Sequence, residues 1–167
     1  MKKKLFAALV LALVVSTASV FAFGIGIQGG YDPNLDGDKD GGPGSGNVAI
    51  TFKVDKSPLV FATDFGFHKG FSTIGLTGDY WISNANLAGP VNYFYGVGFG
   101  ANITIIDGAE DSVNFGAALR VPVGINMFFA KGVIEPYLQL VPQLVLPLPS
   151  FDLDFALGCN AGIRFWF

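Results

Sequence analysis

Cysteine is nearly absent: Cys159 stands alone among 167 residues, so no internal disulfide staples the fold, and no lipobox precedes it for lipid attachment. On an apolar strand face a lone cysteine packs as a small hydrophobe. Charge is scarce too, at 14% of residues, where a soluble domain of this size carries roughly a quarter. Ten Lys and Arg face thirteen Asp and Glu, which excludes the basic surface that nucleic acid requires. Long apolar runs are missing beyond the first two dozen residues, so no later segment reads as a spanning helix. A chain that is 51% hydrophobic with 23 glycines, yet has no such helix, must distribute its apolar residues in another way.

The one long run lies at the start. Lys2, Lys3 and Lys4 precede an apolar core from Leu5 to Val15, then a small and polar stretch from Ser16 to Ala22. This is the layout of a signal peptide, with Val20-x-Ala22 as the cleavage site. The expected organisation is a signal peptide over 1–22 and one domain over 23–167. Loss of three lysines takes the net charge from −3 to −6, seven basic residues remaining against thirteen acidic ones.

From residue 23 onward the apolar residues recur at every second position. In 151–167 the odd positions Phe151, Leu153, Phe155, Leu157, Cys159, Ala161, Ile163, Phe165 and Phe167 are apolar. The even positions, from Asp152 through Asn160 to Arg164, are small, polar or charged until Trp166. Period two is the signature of a strand. The same alternation marks strands near 23–31, 47–55, 59–68, 73–82, 92–104, 113–123 and 134–145. Eight strands of about ten residues suit an all-β, antiparallel, up-and-down transmembrane β-barrel, whose closure satisfies every backbone group inside the bilayer.

The charges decide which face points where. Lys53, Asp64, Asp79, Arg120, Glu135, Asp154 and Arg164 all fall on the small, polar parity. A Lys or Arg facing lipid near the midplane costs about 2–4 kcal/mol, so this sorting implies an apolar exterior and an interior charge network. A soluble barrel with the apolar face inward would expose Gly, Ala, Asn and Thr on its strands, an unusually weakly charged surface. The inward Gly and Ala leave room for Arg120, Arg164 and their carboxylate partners in a barrel only wide enough for its own side chains.

The connections alternate in length. Asp32–Gly46 and Ile105–Ser112 are long, polar and acidic, whereas Asp55-Lys56-Ser57-Pro58 is a tight turn. The 83–91 stretch is expected to be a loop, longer than the short end of such a barrel should carry. Tyr80-Trp81, Tyr93-Phe94-Tyr95, Phe128-Phe129, Tyr137 and Phe165-Trp166-Phe167 gather at the short-turn end as an interfacial aromatic girdle, with Tyr31, Phe71 and Phe151 opposite. Pro136 and Pro142 each remove a ladder donor, so a bulge or a shortened strand is expected there.

The ending Gly162-Ile163-Arg164-Phe165-Trp166-Phe167 resembles the C-terminal signal of outer-membrane barrels, with Gly162, Phe165 and Phe167 at its fixed positions. The chain thereby resembles the small OmpA-barrel, OmpX and OmpW group. Glu135-Pro136-Tyr137-Leu138-Gln139 and the Arg-Phe-Trp-Phe ending also resemble small spirochaetal barrels. The resemblance implies an outer-membrane location, contact with membrane lipid, insertion by the barrel assembly machinery, and long loops facing outward to meet an extracellular or host ligand. It implies no cell-wall tether, because nothing here resembles the peptidoglycan-binding domain of full-length OmpA.

Other motifs carry less. Asp36-x-Asp38-x-Asp40-Gly41 matches the front half of a calcium loop, but Asn47 stands where a bidentate Glu belongs. The three aspartates therefore offer a weak divalent-cation site at most, and a solvated acidic loop is the expectation. No other cofactor is expected. His68 with Ser72 nearby lacks any geometric sign of a catalytic triad, and Gly96-x-Gly98-x-Gly100 lies within a strand, not in a phosphate loop. The expected role is structural or surface-interacting and non-enzymatic. The alternatives are a narrow pore for small molecules, prompted by the inward glycines, and a soluble secreted barrel that binds a ligand.

Overall fold

A computed structural model describes residues 22–32, 45–68, 71–106, 112–148, 151 and 153–167. Its strands are β1 (Phe23–Asp32), β2 (Ser45–Val54), β3 (Leu59–His68), β4 (Phe71–Ala88), β5 (Val91–Ile106), β6 (Ser112–Arg120), β7 (Val123–Met127), β8 (Ile134–Leu148) and β9 (Asp154–Trp166). Chain neighbours pair antiparallel, and β1 pairs with β9 to close the ring. The segments β6 and β7 are one strand interrupted: both pair with β5 and with β8 in a single register. The architecture is an eight-stranded up-and-down barrel. No helix among the described residues is long and apolar enough to cross a membrane.

The register fixes the shape. Gly24 lies opposite Lys53, and the line continues through Val60, Asp79, Gly98, Arg120, Gln143 and Ala156. Ala156 stands ten residues along β9 from Trp166, the partner of Gly24, so the line climbs ten residues in one circuit. Eight strands spaced about 4.8 Å apart, with a ten-residue stagger at about 3.3 Å each, tilt by about 40° and enclose a radius of about 8 Å.

Two expectations about the connections are corrected. The 83–91 stretch is not a loop: β4 and β5 run on to Ala88 and from Val91, leaving only Gly89-Pro90 between them. Asn86 holds that turn, its Nδ2 donating to the Gly89 carbonyl at 2.8 Å, while Gly89 takes the positive φ the turn needs. Nor is there a bulge or shortening at Pro136 and Pro142. They sit in a 15-residue strand whose pairing with β9 is unbroken from Ile134 to Val145. The interruption falls instead at Val121-Pro122. There the ladder keeps one bond of each pair, Val121 N–H donating to the Pro142 carbonyl and Gly96 N–H to the Pro122 carbonyl, both at 2.9 Å. The Pro142 nitrogen faces β6 and Pro136 faces the same side, where β7 ends, so neither costs a bond to β9.

Burial is inverted relative to a soluble protein. The outward parity exposes its large apolar side chains, Phe99 to 71%, Ile27 to 63% and Leu76 to 59%. The inward parity buries polar ones, with Glu135 at 0% and both Thr51 and Arg164 at 1%.

Candidate functional site

The lumen is the feature that the sequence builds most deliberately, and Glu135 of β8 is its centre. Its carboxylate accepts from Arg164 Nη1 at 3.1 Å, Asn126 Nδ2 at 2.6 Å and Trp166 Nε1 at 2.9 Å. Glu135 and Arg164 face each other across the β8–β9 register, so their pairing follows from strand alignment. The guanidinium carbon of Arg164 lies 4.1 Å from the centre of the Tyr137 ring and 5.3 Å from that of Trp81. Trp81 in turn stacks on Phe94 at 3.9 Å with rings 9° from parallel. Lys53 Nζ sits 5.4 Å from Trp81 and 5.6 Å from Trp166, and donates to the Ser57 carbonyl at 2.9 Å. A buried ion pair needs further hydrogen bonds to offset its desolvation. The indole and amide donors supply them to the Glu135 carboxylate, while the buried Arg164 Nε has no hydrogen-bond partner among the described residues.

Glycines make room for these groups. A Cβ at Gly162, opposite Tyr137, would collide with its ring, and one at Gly26 would meet the Arg164 side chain. Further along, Tyr137 Oη donates to Gln28 Oε1 at 2.9 Å, and Gln139 Nε2 reaches the same oxygen at 3.3 Å. A second ion pair joins Arg120 Nε to Asp79 Oδ1 at 2.9 Å, reaching from β6 across β5 to β4.

Together these side chains occlude the barrel toward its short-turn end. On one side of the plug lies a polar cup of about 220 Å³, lined by Asn47, Asp64, Thr73, Asn102 and Gln143 among others. On the other lies an open vestibule of about 570 Å³, bounded by Lys53, Asp55, Lys56, Trp81, Phe128 and Trp166.

Of the seven charges assigned to the interior, the structure brings together Glu135 with Arg164 and Asp79 with Arg120, and places Lys53 against the plug's aromatic rings. Asp64 lines the cup. Asp154 is a correction: it has the inward parity, but at the strand end it is exposed to solvent. The aromatic girdle is corrected as well. Tyr80, Tyr93, Tyr95 and Phe165 are exposed, but Trp81, Phe94 and Tyr137 are buried in the lumen. Parity was the signal: all three share the face of their strand's polar and small residues. Asn126 and Gln28 went unrecognised because a single amide carries no pattern. Gly162 lies under the Tyr137 ring, Phe165 faces outward, and Phe167 stacks on Phe23 at 5.6 Å. Asp36, Asp38 and Asp40 lie outside the described residues, as do residues 1–21 and the side chains of His68 and Phe71.

No family model matches the sequence, and no curated protein does. Among solved structures the chain is similar to Neisserial surface protein A, with a TM-score of 0.59 and 16% identity over 88% of this chain and 97% of that one. It is also similar to the N-terminal β-barrel domain of Pseudomonas aeruginosa OprF, with a TM-score of 0.54 and 11% identity over 86% and 97%. At such identities the likeness is one of fold: this chain has the architecture of the small outer-membrane barrels.

Proposed function

We propose that the chain is an outer-membrane barrel without catalytic activity, serving envelope structure or surface interaction through the loops between β1 and β2, β3 and β4, β5 and β6, and β8 and β9. The inverted burial carries this reading. A wall of exposed Ile, Leu, Val and Phe around buried Glu135 and Arg164 is stable where acyl chains, not water, meet it. The short turns then lie on the periplasmic side with both strand termini, and Gly162, Phe165 and Phe167 form the segment that the assembly machinery engages. A cleaved signal peptide over 1–22 supplies export, and the first external loop has at most a weak affinity for divalent cations.

Protein refolded in detergent is expected to migrate faster unheated than boiled, with a strand-rich circular dichroism spectrum. A chain that stays folded and monomeric without detergent would overturn the membrane reading in favour of a soluble binder. The plug argues against an open conduit, because Phe94, Glu135 and Arg164 are packed in it with almost no exposed surface. Planar bilayers containing the refolded protein are expected to stay silent, and sustained single-channel currents would contradict the occluded lumen.

A further inference from the structure

The apolar wall is not equally tall all round. Each line of paired residues climbs ten positions per circuit toward the long-loop end. Counting up from Gly24, and adding one eighth of that climb for each strand passed, Tyr31 and Val48 stand about seven and about six residues high, whereas Ile105 and Val113 stand about twelve and about thirteen. One residue rises about 2.5 Å along the axis at this tilt. At the short-turn end Phe23 of β1 and Met127 of β7 stand level, each about one residue below Gly24 on the same count. The apolar belt is therefore about 20 Å tall from Phe23 to Tyr31, but about 35 Å tall from Met127 to Val113.

An outer-membrane barrel presents an apolar band of about 25 Å to lipid. The β1–β2 side falls short of that, and the β5–β9 side exceeds it by about 10 Å. The excess is not masked by packing: Ile105, Val113, Phe115, Phe151 and Leu153 are each more than 40% exposed. Nor does charge interrupt it, for no Lys, Arg, Asp or Glu falls on the outward parity of β5 or β6. The surplus is continuous with the belt below it along the same strands, so one kind of surface runs the full height.

We infer that acyl chains sheath this taller wall to its rim, and that the barrel leans in the bilayer to bring it in. This rests on the membrane reading above. A wedge-shaped belt, 15 Å taller on one side of a barrel about 25 Å wide, settles symmetrically when the axis inclines by about 15°. The excess is then shared between the two leaflets, about 5 Å in each, which lipids absorb by local thickening. The β5–β9 side sinks and the β1–β2 side rises, so the rim at Tyr31 and Val48 is lifted while the rim at Ile105 and Val113 is drawn toward the headgroups.

Fluorophore depth reports this directly. In a Cys159→Ser background, Val113→Cys and Leu119→Cys place one environment-sensitive dye each on the outward face of β6. Both proteins are refolded at low protein-to-lipid ratio into phosphatidylcholine vesicles with brominated acyl chains. Bromine is expected to quench both dyes, the Val113 site at least half as strongly as the Leu119 site, and aqueous iodide to quench neither as it does free dye. A Val113 dye quenched by iodide but not by bromine, with the Leu119 dye still quenched by bromine, overturns the inference and leaves the membrane reading standing. A Val113 dye shielded from both quenchers means a protein covers the rim, which also overturns it. A Leu119 dye that bromine does not reach removes the membrane reading itself. Phe115→Cys replaces Val113→Cys if the latter does not give the heat-modifiable folded band.

Discussion

Glu135 shows how much one buried carboxylate is asked to organise. It receives donors from Asn126 of β7 and from Arg164 and Trp166 of β9, so its removal strands a guanidinium between two aromatic rings. Glu135→Ala or Arg164→Ala is expected to lower stability by about 3–5 kcal/mol, since an orphaned buried charge costs that much. Glu135→Gln keeps an acceptor for the indole and loses less. Urea titration in vesicles, followed by the fluorescence of Trp81 and Trp166, the chain's two tryptophans, measures both. Gly162 makes the steric counterpart: Gly162→Val is expected to destabilise the barrel, and to cost at least 1 kcal/mol less when Tyr137→Ala has vacated the ring's place, a coupling a double-mutant cycle isolates. The inward address of Glu135, Arg164, Asp79 and Arg120 was legible from parity alone. Their partnering was not: Asp79 and Arg120 are joined across an intervening strand, which only the register reveals. Trp81, Phe94 and Tyr137 have the residue type of an interfacial girdle but the parity of the lumen, and parity decides where they lie.

The strands were legible wherever lipid-facing and lumen-facing positions differ. They faded where both faces leave the apolar belt. Ser83-Asn84-Ala85-Asn86 continues β4 past Trp81, yet its side chains are small or polar on both sides and carry no period. Pro136 and Pro142 misled in the opposite sense, since the cost of a proline depends on which neighbour its missing N–H would have faced, and a sequence does not state that. Pro142 leaves the Val121 carbonyl without its ladder donor while still accepting from Val121 N–H. Pro142→Ala is therefore expected to stabilise the β6–β8 seam by about 1 kcal/mol, read as slower amide exchange at Val121 and a higher urea midpoint. An unchanged midpoint with unchanged exchange would mean that the carbonyl already has a partner.

The molecule is inside-out relative to a soluble domain, and both the fold and the proposed role hang on that inversion. A closed ring of eight strands with a ten-residue stagger leaves a lumen of side-chain width, which the sequence fills with paired charges, amides and aromatic rings toward one end and with a small polar cup toward the other. The outward direction of the apolar parity is legible in the sorting of charge, while the uneven height of that wall needs the register of all its pairings. Methyl resonances of the protein in detergent micelles test the inversion most directly. A doxyl-labelled lipid is expected to broaden the methyls of Ile27, Ile50, Leu76 and Leu140, which face outward, and to spare those of Val60 and Val141, which are buried within. Spared Ile27, Ile50, Leu76 and Leu140 methyls, with Val60 and Val141 broadened or reached by a water-soluble gadolinium chelate, would contradict it.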